Sequence, residues 1–306
     1  MKRRDSRTKL LAVAGAAVVM WACEAPEQEA GDDGMPVVRV GVRDGEDVLR
    51  CRDAFVPLAR ALEATLAAEG QRVQVAVECY ARFRELVAAL AEQRIELARL
   101  DAASYLELGG SGSGGRLLAV ERPRPGGSGQ GMIVVGPSAP EVTALAGLRG
   151  HSFAFGDAHA AMGRYLAQAA LLDAGVDGRA LGTYRYLHRA DKVAAAVRLG
   201  EVDAGVVDEQ AYQRANADGS LRVLARLHDA PRGWVARVGL PDATRDRLGA
   251  AVVAISAPAA LDALDAMALE PVASADPGSY ARIRAAVVAA AGFGDAPRGA
   301  VRTAAR

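Results

Sequence analysis

The sequence predicts an α/β protein of two similar lobes, each a mostly parallel sheet flanked by helices. Three observations predict it. Strand-like apolar runs alternate with helical patterns from Val37 to Asp101. A second alternating series begins near residue 130. Part of the first series also aligns on part of the second without gaps. Alternation of this kind places helices on the faces of a parallel sheet.

Taken in order, "VVRVGV" (Val37–Val42) reads as a buried strand. Phe55, Leu58, Ala59, Leu62 and Leu66 follow at helical spacing, so the first helix is expected beyond Cys51. "VQVAVE" (Val73–Glu78) is the second strand, and Phe83, Leu86, Val87 and Leu90 mark the second helix. "LARLD" (Leu97–Asp101) is the third strand. The Gly/Ser stretches "GGSGSGG" and "PGGSGQG" flank "RLLAVERP" and read as loops near a domain crossing. The second series runs through "GMIVVG", "SFAFG", a helix over Ala160–Ala174, "TYRYL", a helix over Asp191–Leu199 and "AGVVD". "LRVLARL" is another strand, and "HDAPRGWVARVGLP" reads as the return crossing. Helices are expected over Ala243–Ile255, Ala259–Met267 and Gly278–Ala291, with a frayed Arg/Ala tail after Gly294.

The internal repeat pairs "AALAEQRIELARLDAASY" with "AAVRLGEVDAGVVDEQAY". Each copy runs from a helix through a turn into a strand ending in Asp, with Tyr four residues on. Asp101 and Tyr105 thus correspond to Asp208 and Tyr212. Both pairs fall at the carboxyl edge of a sheet, where ligands of open α/β folds bind, so a cleft between the lobes is expected. The bland alternative is that α/β units resemble one another anyway.

The chain of 306 residues carries 37 basic and 37 acidic side chains. The balance hides an asymmetry, because residues 1–22 hold five bases and one acid. The rest is slightly acidic, which argues against a nucleic-acid partner. Lys2, Arg3, Arg4, Arg7 and Lys9 precede the apolar run Leu10–Ala22, the pattern of an export signal. That run is too short to span a bilayer comfortably. Cys23 stands where a lipoprotein signal places its acylated cysteine, and a polar stretch, residues 23–36, reads as a tether. The alternative is ordinary secretion, with Cys23 lost or a spare thiol. Cys51 and Cys79 fall on the same edge of a parallel sheet. An oxidising compartment allows a bridge there, and two buried thiols are the other reading.

Catalytic signatures are absent: there is no phosphate loop, no H-E-x-x-H helix and no G-x-S-x-G elbow. His151, His159, His188 and His228 show no close metal spacing, and no cofactor is expected. His159 and His188 fall just beyond strand ends and are the better candidates for contacting a ligand. The pair Asp208–Glu209 suits acid/base work, and suits the start of a helix better.

"FVPLARALEATL", "ELARLDAASY", "LRGHSFAFGDAHAAMG" and "GEVDAGVVDE" occur in that order, with "DPGSYARIRAAV" near the end. Together they resemble the phosphate/phosphite/phosphonate substrate-binding proteins of ABC transporters. Those are type II periplasmic binding proteins, and the likeness covers about residues 37–290. It implies a first lobe of 37–129 plus 230–292, a second of 130–229, a flexible tail 293–306 and a hinge between the lobes. It also implies an exported solute-binding protein that performs no reaction and delivers its solute to a membrane permease. Members of the family carry Gly-Asp-Pro-x-Ser-Thr-Ser-Gly at a turn that grips phosphonate oxygens. Here that run is Gly156, Asp157, Ala158, His159, Ala160, Ala161, Met162 and Gly163, with no hydroxyl at the three key positions. Backbone N–H groups remain, and His159, Arg164 or Arg189 would have to replace the lost contacts. The family's His-Asp pair is Ala190-Asp191 here, with His188 displaced by two residues. Leu-Gly-Pro becomes Leu100-Asp101-Ala102, a carboxylate that repels phosphonate and welcomes an amine.

The resemblance therefore predicts the fold and leaves the ligand open. Tyr80, Asp101 and Tyr105 are the expected ligand contacts of the first lobe. His159, the backbone of Ala160, Ala161 and Met162, His188 and Asp208 are those of the second. Two rivals stand beside this reading. One is a sensor or scaffold lipoprotein of the same fold. The other is an enzyme, for which Cys51, Cys79 and His188 are the only candidate groups.

Overall fold

The computed structural model describes residues 35–43, 48–110, 114–124, 129–272 and 277–295. The signal segment, Cys23, the tether up to residue 34 and residues 296–306 lie outside the described residues. The chain runs β1 (Val37–Arg43), α1 (Val48–Ala68), β2 (Gln74–Tyr80), α2 (Phe83–Ala91), β3 (Leu97–Leu100), α3 (Ala102–Gly110) and β4 (Arg116–Pro123). It continues through β5 (Gln130–Val135), β6 (Ser152–Phe155), a π-helical turn (Ala161–Leu166) leading into α4 (Ala167–Asp173), and β7 (Thr183–Tyr186). Then come α5 (Ala190–Arg198), β8 (Ala204–Asp208), α6 (Glu209–Ala215), β9 (Arg222–His228) and β10 (Gly233–Ala236). α7 (Asp242–Val253), α8 (Pro258–Leu264), β11 (Ala266–Pro271) and α9 (Pro277–Ala290) complete it.

Two sheets result. One has six strands in the order β11-β4-β10-β3-β1-β2, the other five in the order β7-β6-β8-β5-β9. β1 is parallel to β2 and β3, and β6 is parallel to β7 and β8. The strands next to β3 and β8, β10 and β5, are antiparallel to them. The repeat seen in the sequence is thus a repeat in space. β1, β2 and β3 answer to β6, β7 and β8, and each sheet receives its antiparallel strand after a crossing from the other.

Burial follows the apolar patterns. Phe55, Leu58, Leu62 and Leu66 on α1 recur every three or four residues and pack onto Val38, Val40 and Val42 of β1. All four residues of β3 are buried, as a central strand covered on both faces requires. The second sheet is covered by one cluster around Phe153, Phe155 and Leu171 and by another around Val193, Val197 and Val207.

Several expectations need correction. "RLLAVERP", to which the sequence assigned no element, is the strand β4, bonded to both β10 and β11. The return crossing contains β10, whose Trp234 is wholly buried and donates from Nε1 to Glu121 at 3.2 Å. α8 ends at Leu264, because Asp265 takes a left-handed φ of 52°, and the chain then adds β11 as an edge strand. Cys51 lies inside α1, which begins at Val48, and it is disulfide-bonded to Cys79 on β2. Phe293, expected in the tail, is buried in the second lobe's core, and its carbonyl accepts from Gly178 N–H at 2.7 Å. α9 is not simply part of the first lobe either. Ile283, Ala286 and Ala290 pack with Ala102 and Ala103 of α3 and with Ala161 and Tyr165 of the opposite lobe.

Candidate functional site

Between the sheets, at their carboxyl edges, lies a cavity of about 410 Å³. Its lining comes from both lobes and is unusually rich in charge. Arg43, Arg99, Arg189, Arg214 and Arg232 share it with Asp101, Asp157, Asp191, Asp208, Asp229 and Asp265.

The turn between β6 and the π-helical segment forms one wall. Gly156 N–H donates to the Gly163 carbonyl at 2.9 Å, so strand end and helix start touch through backbone. A Cβ on Gly163 would lie 2.8 Å from Asp157 N, which makes glycine necessary there. Standing at the start of a helix with no side-chain cap, the Met162 and Gly163 N–H groups have no acceptor among the described residues, and the winding there is π-helical, a geometry concentrated at functional sites. Ala160 and Met162 line the cavity, and the Met162 side chain packs on Gly131. Ala161 N–H is taken: it donates to Asp101 Oδ2, across the cleft, at 3.2 Å.

Asp101 and Asp208 hold equivalent places. Each caps the helix after its strand, with Oδ1 accepting from Ser104 N–H and Ala211 N–H respectively, both at 2.7 Å. Asp101 is only 4% exposed, and burial pushes its carboxyl above the usual range, opposed by the N–H groups of Ser104 and Ala161. Asp229 is pushed up to about 7 by burial and then by the nearby Asp101 charge. The Arg232 guanidinium is lowered by Arg99 and by burial. The Arg232 side chain has no hydrogen bond or ion pair among the described residues, whereas Arg99 forks onto Glu121 at 2.6 and 2.8 Å.

Arg43 crosses from the first lobe. Its Nη2 donates to the His188 carbonyl at 3.1 Å and lies 3.6 Å from Asp157 Oδ2, and its guanidinium sits 4.5 Å over the Phe83 ring. Asp157 Oδ2 is buried with no hydrogen bond. His188 adopts φ 65°, with its N–H bonded to Gly156 O, and the residue lines the cavity. Arg189 bonds Asp191 through Nε at 2.9 Å and holds that carboxyl below its usual range.

Of the residues expected to contact a ligand, Asp101, Ala160, Met162, His188 and Asp208 line the cavity. Four others do not. Tyr80 ends β2 and donates to Glu78 at 2.6 Å. Tyr105 stands edge-on to Tyr280, at 6.2 Å. The His159 ring turns to Glu107, at 3.1 Å, and Ala161 is buried between the lobes. Sequence reasoning missed Arg43, Asp157, Asp229 and Arg232. Arg43 and Asp229 were legible as strand-end residues. Arg232 carried no signal, because it lies in what read as a crossing. Among the described residues no cluster of His, Cys, Asp and Glu is arranged to hold a metal.

The family model described as "ABC transporter, phosphonate, periplasmic substrate-binding protein" matches residues 42–280. No curated protein matches the chain. Solved structures do. XAC2383 from Xanthomonas citri, bound to chloride ion, superposes with a TM-score of 0.69 at 21% identity, covering 84% of this chain and 98% of that one. PhnD1 from Prochlorococcus marinus, in complex with methylphosphonate, gives 0.66 at 18% identity, covering 82% and 96%. The periplasmic aliphatic sulphonate binding protein SsuA from Escherichia coli gives 0.58 at 19%, covering 85% and 79%. At these identities the structures establish the shared fold.

Proposed function

Because the chain belongs to the periplasmic phosphonate substrate-binding proteins of ABC transporters, we propose that it captures a small polar solute between its lobes and presents it to a membrane permease. It carries out no reaction on that solute. The solute pairs an anionic group with hydrogen-bond donors, as a zwitterion does, and is not a bare oxyanion. The observation that carries this reading is the mixed lining of the cavity. The Arg232 side chain has no partner, and the Met162 and Gly163 N–H groups no acceptor, among the described residues, while the carboxylates of Asp157 and Asp208 share the lining, Asp157 Oδ2 accepting no hydrogen bond and having Arg43 beside it at 3.6 Å. Donors such as these seat an anion, and the carboxylates ask for a donor in return. Cys23 is the acylated residue that tethers the protein to the membrane, as the segment before it suggests.

Thermal unfolding of the mature chain against a solute panel tests the reading. The panel holds phosphate, phosphite, methylphosphonate, 2-aminoethylphosphonate, sulfate, amines and amino acids. A solute at 100 times its dissociation constant stabilises by about 2.7 kcal/mol. Stabilisation by zwitterions above bare oxyanions is expected. Stabilisation by oxyanions alone overturns the solute class. No shift at all favours a ligand-independent scaffold, which the direct bridges between the lobes, such as Asp101 to Ala161, would serve.

A further inference from the structure

We infer that Asp101 is a built-in occupant of the anion seat: its carboxylate takes the helix-start N–H that a bound oxyanion would need, and latches the two lobes together. The inference rests on the cavity being the solute site, and its test reads closure separately from binding.

The two oxygens of Asp101 are divided between the lobes. Oδ1 accepts from Ser104 N–H of its own lobe at 2.7 Å, and Oδ2 accepts from Ala161 N–H of the other at 3.2 Å. Capping alone does not require the second bond. Asp208 caps its helix in the same way, and among the described residues its side chain bonds only Ala211 N–H. The crossing bond is therefore an addition, made by the first lobe's copy of a repeated residue. Its target is the turn that has Ala160, Ala161 and Met162 and no hydroxyl, so the backbone N–H groups there are the donors left for an anion. A carboxylate on such an N–H makes a charge-assisted bond, here from a side chain that is itself buried. The same helix adds two further bridges to that turn. Ser104 Oγ donates to the His159 carbonyl at 3.4 Å, and Glu107 Oε2 lies 3.1 Å from the His159 ring. An oxyanion entering this seat competes with Asp101, both for Ala161 N–H and through repulsion between like charges.

Asp101→Asn separates latch from cap. The amide oxygen still accepts from Ser104 N–H, and the amide N–H₂ then faces the Ala161 N–H, donor against donor. The mature chain and the variant are titrated with methylphosphonate and with inorganic phosphate by calorimetry, and both ligand-free forms are measured by small-angle scattering. Asp177→Asn is the control, since Asp177 caps Ala180 N–H well away from the cavity. If the latch holds the open form to about a tenth of the population, its removal raises oxyanion affinity about tenfold. D101N is expected to bind methylphosphonate at least that much more tightly than the unaltered chain, and to have a larger radius of gyration without ligand. D177N should change neither. A folded D101N with unaltered affinity and radius overturns the inference, as does an unaltered chain that binds methylphosphonate as tightly as D101N. Should D101N fail to fold, Ala161→Pro removes the donor from the other side. Proline is tolerated at a first helical position, and Ala160 before it is extended. A161P should enlarge the ligand-free radius without any gain in oxyanion affinity, and an unchanged radius overturns the latch. If the unaltered chain binds nothing on the wider panel, the solute reading fails while the scattering comparison still decides the latch.

Discussion

Glu107 Oε2 lies 3.1 Å from His159 Nδ1, a contact between a helix of the first lobe and the binding turn of the second. The other carboxylate oxygen accepts from the Tyr165 hydroxyl, also across the cleft. Burial and this carboxylate drive the Tyr165 hydroxyl well above its usual range, so it stays protonated and donating. Glu107→Ala leaves that buried hydroxyl without a partner, a loss of about 1–3 kcal/mol. Tyr165→Phe in the Glu107→Ala background should recover part of it, because removing both partners costs less than orphaning one. Denaturant melts of the two single variants and the double variant check this. Strict additivity would show that the two groups do not interact.

The Cys51–Cys79 bridge ties α1 to the edge strand β2 over a sequence separation of 28. Closing a loop of that length stabilises by about 3 kcal/mol through the unfolded chain. Replacing both cysteines by alanine should lower stability by that order, and reduction with a thiol should lower the melting temperature of the unaltered chain alone. Equal melting with and without reductant would mean that the bond does not stabilise the fold.

The parts of this fold that repeat locally were legible in the sequence. α1, β1 and β3 announced themselves by periodicity, and the Asp101/Asp208 repeat located the cleft edge. β4 and β10 were hidden because their pairing is long-range: β10 is antiparallel to β3, from which it is separated by the whole second lobe. A short strand made by tertiary pairing carries little local signal. The site divided in the same way. Backbone position could be inferred for Ala160, His188 and Asp208. Side-chain direction could not, and so Tyr80, Tyr105 and His159 were expected in a cavity that they do not line. That Asp101 reaches Ala161 is a relation between lobes, on which spacing along the chain is silent.

Asp229 gives the stability a pH dependence. Its carboxyl is raised to about 7 in the fold, from 3.8 for the free group, with Asp101, Arg232 and Tyr280 as its charged or titratable neighbours. The folded form therefore holds a proton that the unfolded chain releases between those values. Stability should fall as pH rises from about 4 to about 7, and level off above. Asp229→Asn cannot ionise, so it should be the more stable form at pH 8, by a few kcal/mol at most, and the difference should vanish below pH 4. Melting curves across that range check it. An Asn variant that loses stability in parallel with the unaltered chain would place the titration elsewhere.

Arg232 is the guanidinium most directly available to a solute. Arg43, Arg99 and Arg189 are already bonded to His188, Glu121 and Asp191, and Arg214 is exposed. Hydrogen bonds to a charged partner contribute about 1.5–3 kcal/mol each. Arg232→Met should therefore weaken binding of the best stabilising solute by about 10- to 100-fold. Arg232→Lys keeps the charge and loses the planar fork, so it should fall between the two. The fold itself should not suffer, because the Arg232 side chain has no hydrogen bond among the described residues to lose and lies close enough to Arg99 for the two charges to repel. Titration calorimetry on the three forms separates the outcomes. Equal affinity in all three would mean that the solute's anionic group rests on the Met162 and Gly163 N–H groups alone. A loss confined to Met, with Lys intact, would mean that the cavity reads charge at this position and not geometry.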